Sequence, residues 1–280
     1  MTLLAACSPR QFVLHRIGDE LAGQGQAPED DLQLAREAAA FYLKLSESIL
    51  RREPGNLRLA EAVAGGFTRY AYAFVSSEAD RVEATSARAA HALRIRAAKL
   101  YRRALGHAMA SLEHDSPGFA AALARTDPTR WPRIAEKQAG VAYWAAASWG
   151  GLISLSKDNP EVVADLPLAI RLASLAYARS PTYGEGALAS LMGTFEAGRP
   201  GGSATRAAAY FDQAAAAGGG RNAGIPVARA EALAQPAGDR AAFETLLRQA
   251  LAEADARRDL QNEVMRDRAQ WLLDNADDLF

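Results

Sequence analysis

The stretch from residue 31 to residue 75 decides the fold: DLQLAREAAAFYLKLSESILRR (31–52), EPGN (53–56) and LRLAEAVAGGFTRYAYAFV (57–75). Proline, glycine and asparagine end the first segment, and a second helix is predicted from Leu57 to Val75. The stretch therefore predicts a helical hairpin. Apolar side chains recur in its first segment at the three- and four-residue steps of an amphipathic helix: Leu34, Ala38, Phe41, Leu45 and Ile49.

The rest of the chain continues this alternation of helix and short break. The breaks contain glycine, proline, asparagine or aspartate, and no long polar linker divides the chain. The sequence therefore predicts an all-α fold in which residues 8–280 form a single domain. The further helices predicted by apolar periodicity cover residues 84–113, 118–124, 139–156, 166–179, 184–197, 204–217, 225–234, 240–254 and 260–276.

Internal similarity indicates repeated hairpins. When Pro54 is aligned with Pro181, alanine recurs six and eight residues later, and glycine recurs twelve residues later, at Gly66 and Gly193. Small side chains let paired helices approach closely, and proline sets the turn between repeats. The tetratricopeptide consensus is matched only in part, since its tryptophan and tyrosine positions are mostly unfilled. We interpret the chain as an antiparallel helix-hairpin array of divergent tetratricopeptide-like repeats, with chance similarity in an alanine-rich helical chain as the alternative.

Composition narrows the class of function. Alanine accounts for 64 of the 280 residues, which favours closely packed helices. The 32 basic side chains nearly balance 33 acidic ones, which argues against nucleic-acid binding through phosphate neutralisation. No metal-ligand spacing, nucleotide-binding loop or nucleophile motif occurs, so we expect no catalysis, metal or cofactor. A helical hydrolase would need a reactive group in a cleft, and the sequence offers no candidate.

The chain has one cysteine, Cys7, within Leu4-Ala5-Ala6-Cys7, which has the form of a bacterial lipobox. In such a motif the thiol carries a diacylglycerol. Only six residues precede Cys7 and none is basic, whereas a secretory signal needs a basic start and about 7–15 apolar residues. We therefore interpret residues 1–7 as the remnant of a lipoprotein signal peptide. A core or disordered cysteine is the alternative.

Two aromatic stretches are candidates for a ligand groove. Residues 67, 70 and 74 share one helix face, and the second stretch, 143–149, has tryptophans on either side of small residues. Large aromatic side chains beside alanine and glycine either fill gaps between close helices or form the wall of an apolar groove. The six candidates are Phe67, Tyr70, Phe74, Tyr143, Trp144 and Trp149.

Longer motifs resemble a known family. Besides the lipobox, they are GGFTRYAYAFV (65–75), EADR (78–81), YWAAASWG (143–150) and ISLSKD (153–158). Together they resemble the T component of TRAP (tripartite ATP-independent periplasmic) transporters, a family of tetratricopeptide-like periplasmic lipoproteins. The resemblance extends from the lipobox to Phe280, essentially the whole chain.

The resemblance implies a non-catalytic accessory of solute uptake in the periplasm of a Gram-negative bacterium. Its lipid anchor would be Cys7, and Ser8 favours the outer membrane. No later stretch has about 18 consecutive apolar residues, so the lipid would be the only membrane contact. The family implies docking to the periplasmic solute-binding (P) component, self-association, and a hydrophobic passage for apolar or amphipathic ligands such as organic acids. The alternative is a general tetratricopeptide scaffold of a cell-envelope complex.

Overall fold

The computed structural model describes residues 9–23 and 30–280, with side chains from residue 16 onward within the first range. Cys7 and the predicted signal remnant lie outside the described residues. Within those ranges every regular element is a helix, so the all-α class is confirmed. The elements are α1 (Pro9–Gly23), α2 (Leu32–Leu50), α3 (Leu57–Ala71), α4 (Ser77–Glu83), α5 (Ala87–Asp115), α6 (Phe119–Leu123), α7 (Ala139–Ser154), α8 (Pro160–Val163), α9 (Leu166–Arg179), α10 (Ala187–Gly198), α11 (Ala204–Gly218), α12 (Gly224–Arg229), α13 (Arg240–Ala256), α14 (Leu260–Asp274) and α15 (Ala276–Leu279).

Polar side chains at the breaks begin several of these helices. Asp31 Oδ1 accepts hydrogen bonds from the first backbone amides of α2, at 3.0 Å. Asn56 caps α3 by accepting from the Leu59 amide at 3.0 Å, and Ser86 caps α5 by accepting from the Ala89 amide at 3.2 Å. Each cap satisfies an amide that has no partner within its own helix. The polar residues in the predicted breaks therefore set where the helices start.

The predicted helix from Leu57 to Val75 is longer than expected. After α3 the chain makes a π-helical turn over Tyr72–Ser76 and continues as α4 to Glu83. Neither glycine nor proline follows Val75, so nothing stops the helix there. The Ser77 hydroxyl donates to the Tyr72 carbonyl at 3.0 Å within this turn. A second π-helical turn, Ala230–Ala234, ends the segment predicted as a helix over 225–234.

Alanine forms most of the contact lines between successive helices. α3 packs on α5, α5 on α7 and α7 on α9, and further along the chain α10 packs on α11 and α13 on α14. Small side chains allow the backbones to approach closely at these contacts. Fully buried alanines include Ala60, Ala64, Ala104, Ala108, Ala142, Ala145, Ala173 and Ala176.

Two adjacent glycines let helices approach α3 from two sides. A Cβ on Gly65 would lie 2.7 Å from Trp144 Cε2 of α7, and one on Gly66 would overlap the Leu43 side chain of α2. The aligned glycine, Gly193, receives Phe211 from the helix that follows it. Gly66 instead receives a side chain from the helix that precedes it. The two glycines therefore serve different helix contacts, and the tetratricopeptide-like repeat stays a prediction.

The C-terminal helices return to the N-terminal part of the array. Arg81 Nη2 donates to Asp267 Oδ2 at 2.5 Å, and Arg268 Nη1 donates to Asp80 Oδ2 at 2.9 Å, so α4 and α14 are joined by two ion pairs. α14 also contacts α2. The helical array thus closes on itself at this point.

Candidate functional site

One face of α3 and of the turn that follows it carries four residues of mixed chemistry. Glu61, Gly65 and Arg69 are four residues apart, and Tyr72 follows three residues later. Helical geometry places residues at these steps on the same side. We call this set the α3 inner face. Its members form the candidate site, and none of them is one of the aromatic residues predicted for this helix.

Aromatic side chains from α7 and from the turn before α10 cover the α3 inner face. The Trp144 indole lies against Gly65, and the Arg69 guanidinium carbon is 4.8 Å from the centroid of the Trp144 ring. Tyr143 lies beside Trp144, with ring centroids 4.7 Å apart, and 5.1 Å from the ring of Tyr183. A cation over an indole face is an attractive contact that strengthens where water is displaced. Arg69 therefore has aromatic side chains as its neighbours.

The Arg69 side chain is exposed to solvent beside these rings. Desolvation by the surrounding protein lowers the pKa of Arg69 below its ordinary value, against the opposing effects of Tyr143, Tyr183 and Glu61. We interpret this position as a shallow recess at the surface, bordered by Arg69, Tyr143, Trp144 and Tyr183.

The two tyrosines beside Arg69 keep their protons at neutral pH. Burial raises the pKa of Tyr143 to about 12, although the charge of Arg69 acts in the opposite direction. Burial also raises the pKa of Tyr183, and the nearby Glu61 adds to this shift. The Tyr183 hydroxyl donates to Glu61 Oε1 at 2.5 Å. The Glu61 carboxylate lies directly over Gly140, where a Cβ would overlap it.

A broad polar cavity of about 770 Å³ adjoins the recess at Glu61 and Tyr183. Glu61 and Tyr183 belong to both spaces, because they line this cavity and also adjoin Arg69. Charged residues therefore lie on the cavity side of Glu61 and Tyr183, and aromatic residues lie on the Arg69 side. Other charged residues that line the cavity are Asp19, Arg58, Asp115, Glu136, Lys137 and Arg179.

At its other end the α3 inner face meets the ion pairs that close the array. Burial raises the pKa of Tyr72, and Glu231 adds to the shift while Arg268 opposes it. Arg268 is only 12% exposed and donates to Glu231 Oε1 at 2.6 Å as well as to Asp80. Burial by itself lowers the pKa of Arg268, but its acidic neighbours and Tyr72 outweigh this and raise it. At this end, therefore, the charge of Arg268 is paired with opposite charges.

The structure brings two of the six predicted aromatic residues, Tyr143 and Trp144, to the recess. Phe67 and Trp149 are core residues, only 3% and 8% exposed. The Phe67 ring stacks on His107 of α5 with centroids 6.1 Å apart, and Trp149 Nε1 donates to Asp165 at 3.3 Å.

Tyr70 and Phe74 lie on a different side of α3 from the recess. Their rings meet edge to face with centroids 5.4 Å apart, and the Arg96 guanidinium of α5 lies 6.0 Å from the Tyr70 ring. Helical spacing groups them with Phe67, as predicted, but that shared face is directed toward α5 and not toward Trp144. The predicted grouping of all six residues around one groove is therefore not the arrangement observed.

Sequence reasoning missed four residues of the site: Glu61, Arg69, Tyr72 and Tyr183. For the first three a signal existed, since their spacing with Gly65 defines one helix face. Tyr183 lies in the turn after Pro181, 122 residues along the chain from the carboxylate that it binds. No local pattern could have assigned it to this site.

Two further features of the described residues bear on function. No group of three or more histidine, cysteine, aspartate or glutamate side chains is arranged there to hold a metal ion. Of the helices that the structure describes, none combines the length and apolarity needed to cross a bilayer.

Comparison with known proteins decides the family. The profile of the TRAP transporter T-component family matches residues 28–280, nearly the whole chain. The chain belongs to the TRAP transporter T-component family. It is also 27% identical over 262 residues to a protein of Treponema pallidum (strain Nichols) described as uncharacterized, with 90% of this chain and 81% of that protein covered. The resemblance predicted from the motifs is confirmed, and the chain is an accessory component of a TRAP transport system.

Proposed function

We propose that this T component docks the solute-binding P component and passes an amphipathic ligand through the recess along the α3 inner face. The observation that carries the proposal is the exposed Arg69 guanidinium, which lies 4.8 Å from the Trp144 ring beside Tyr143 and Tyr183. An aromatic surface with a few polar groups, next to a cavity, can hold a small molecule. Family membership favours this function over a general envelope scaffold.

Within this proposal, the predicted aromatic residues have different roles. Tyr143 and Trp144 form the wall of the passage, where their rings meet Arg69 and Tyr183. Phe67 and Trp149 support the wall from the core, since each is almost fully buried. Phe67 and Trp149 therefore hold in place the helices that carry the wall residues, without contacting the ligand themselves.

The remaining parts of the proposal concern location and assembly. We place the protein in the periplasm, held to the outer membrane by a lipid on Cys7, and self-associated. Tethering two partners to one compartment surface raises their effective concentration, so a weak contact with the P component would suffice for docking. The charged mouth of the 770 Å³ cavity is the end of the passage that would face that partner.

Co-purification tests the docking. The full-length chain carrying a C-terminal tag is expressed in its native cells, solubilised from membranes, captured and analysed by mass spectrometry. We expect the P component in the eluate and a diacylglycerol on Cys7. A Cys7→Ser variant serves as the matched control and should move from the membrane to the soluble fraction. Absence of the P component after mild crosslinking would contradict docking, and an unmodified Cys7 would contradict the anchor.

A further inference from the structure

Two neighbouring helices expose an apolar stripe beside a cationic one. We infer that this surface rests on a membrane with anionic lipids, with its apolar side chains among the headgroups and its cations on lipid phosphates. It would orient a chain that the lipid proposed on Cys7 already holds at the membrane. We call it the α2–α5 surface. Its members are Leu34, Phe41, Tyr42 and Leu45 of α2, and Arg88, Arg96, Lys99 and Arg102 of α5.

The first reason is that the apolar side of α2 faces solvent. Phe41 is 67% exposed and Leu34 55% exposed, although both belong to the spacing that predicts this helix. Tyr42 and Leu45 are also exposed, so none of the described residues covers the stripe. α2 packs on α3 through a different side. A row of large exposed apolar side chains is typical of a surface that a membrane or another molecule covers.

The second reason is the uncompensated charge of α5. From Ala87 to Leu112 this helix has six arginine or lysine residues and no aspartate or glutamate. Arg94 and Arg103 are paired with carboxylates of neighbouring helices. The four cations of the α2–α5 surface are exposed, and within the described part of the chain no carboxylate lies at ion-pair distance from them. In a chain with a net charge of -1, this local excess favours an anionic partner.

The third reason is that the two stripes are neighbours. The buried Glu47 carboxylate of α2 binds Lys44 of its own helix at 2.8 Å and also binds Arg103 of α5. Lys44 directly precedes Leu45, and Arg103 directly follows Arg102. These ion pairs therefore join the apolar stripe to the cationic one.

The chemistry of both stripes fits a bilayer. Leucine and phenylalanine side chains enter the boundary between headgroups and acyl chains, and tyrosine lies at headgroup level. Arginine can hold a phosphate through two parallel hydrogen bonds, and each cation near an anionic membrane strengthens binding by about fivefold. A bilayer with anionic lipids therefore supplies partners for both stripes.

The position of the surface in the chain also favours a membrane over an acidic protein. The helix α1 begins two residues after Cys7, the proposed site of the lipid, and it packs on α2. The apolar stripe therefore belongs to the part of the array that the lipid would bring to the membrane first. This protein contact would add to the contact made by the lipid.

Vesicle binding tests the inference. The full chain carries Cys7→Ser, so that no lipid anchor contributes. Flotation compares pure phosphatidylcholine vesicles with vesicles that also contain about 30% phosphatidylglycerol, a lipid with an anionic headgroup. We expect binding to the anionic vesicles to be at least about tenfold tighter. It should be lost at about 1 M salt, where charges are screened within about 3 Å.

A charge variant tests the cationic stripe. In the same chain, Lys99→Gln combined with Arg102→Gln should weaken binding to the anionic vesicles by about thirtyfold. The matched control combines Arg125→Gln with Arg133→Gln, which removes two exposed cations from a segment beside α9 and should have no effect. Circular dichroism checks that each variant is folded before it is mixed with vesicles.

An apolar variant tests the other stripe. Phe41→Ser should weaken vesicle binding by about tenfold, as expected when one large apolar side chain no longer leaves water. The control is Val163→Ser, which removes an exposed apolar side chain from α8 and should leave binding unchanged.

Three results would overturn the inference: equal binding to both kinds of vesicle, equal binding by the charge variant and its control, or undiminished binding by Phe41→Ser. Loss of co-purified P component in the charge variant, with no vesicle binding by the parent chain, would assign the surface to a protein partner instead. A smaller oligomer of Phe41→Ser in size-exclusion chromatography, again without vesicle binding, would assign it to a second copy of the chain. If Cys7 carries no lipid in cells while the anionic vesicles still bind, the surface stands and the anchor does not.

Discussion

At the scale of single residues, the site depends on Gly65, because this residue has no side chain. Gly65 leaves room for the Trp144 indole to lie on α3, and that indole in turn lies beside the Arg69 guanidinium. A larger residue at position 65 would displace the ring that forms the wall of the recess. The glycine therefore sets both the spacing between α3 and α7 and the environment of the cation.

Replacing this glycine tests its role. In Gly65→Ala the new Cβ would lie 2.7 Å from Trp144 Cε2, and overpacking of this kind costs about 1–3 kcal/mol. The matched control is Gly106→Ala on α5, where a Cβ meets nothing within 4 Å and the change should stabilise by about 0.5–1 kcal/mol. Urea unfolding measures both. Gly65→Ala being as stable as Gly106→Ala would contradict the close contact.

The site residues that were predicted from the sequence differ physically from those that were not. Tyr143 and Trp144 were found because adjacent large aromatics among small residues are unusual in any setting. Arg69 was not selected, although it lies in a motif that points to the family, because an arginine on a helix has the same local pattern whether it faces solvent or a recess. Its aromatic neighbours are residues more than 70 positions away along the chain.

At the scale of elements, a buried carboxylate holds α2 against α5. Glu47 of α2 is 2% exposed and accepts hydrogen bonds from Lys44, Arg103 and His107, with the His107 Nε2 contact at 2.7 Å. It lies near the surface, covered mainly by the side chains of its cationic partners. Burial alone would raise the pKa of Glu47, but these hydrogen bonds outweigh burial and hold it well below its ordinary value.

This contact gives a pH dependence with a defined sign. Because the pKa of Glu47 is lower in the folded state than its ordinary value of 4.5, its ionised form stabilises the fold above that pH. The contribution is lost as the pH falls from there toward the folded-state pKa. At pH 7, Glu47→Gln should lower the free energy of unfolding by about 1–3 kcal/mol, and the difference from wild type should shrink below pH 4.5.

Urea unfolding at several pH values between 7 and 3 measures this effect. The control is Glu37→Gln, which makes the same charge change at an exposed position of the same helix. It should follow wild type closely at every pH. A Glu47→Gln deficit that stays constant down to pH 3, or that grows on acidification, would show that the carboxylate does not hold α2 in the way described.

The helices could be predicted from the sequence better than the irregular turns within them. Apolar periodicity and break residues alone predicted both ends of α9. They predicted the ends of α13 and α14 to within two residues. The π-helical turn after α3 and the helix α1 were not predicted. α1 packs on α3, with Gly18 against Asn56 and Leu59, so its formation depends on a contact with the next part of the chain and not only on its own sequence.

At the scale of the whole molecule, closure of the array sets the surroundings of Tyr72, at one end of the α3 inner face. Arg81 and Arg268 join α4 to α14 through Asp267 and Asp80. An open array would leave Tyr72 without the neighbours that bury it, whereas the closed one places Glu231 and Arg268 beside it. This closure joins residues 186 and 188 positions apart, and no local pattern in the sequence predicts it. The family motifs nevertheless indicated the transport role correctly.

Solute uptake by whole cells tests the central claim most directly, namely that this T component serves a TRAP system through its recess. Cells lacking the gene should lose uptake, and the wild-type gene should restore it. Trp144→Ala, which removes the wall beside Arg69, should restore much less at equal protein level. Trp131→Ala is the control, since that ring lies at Arg171, away from the recess, and should restore uptake fully. Normal uptake without the gene, or full restoration by Trp144→Ala, would contradict the account.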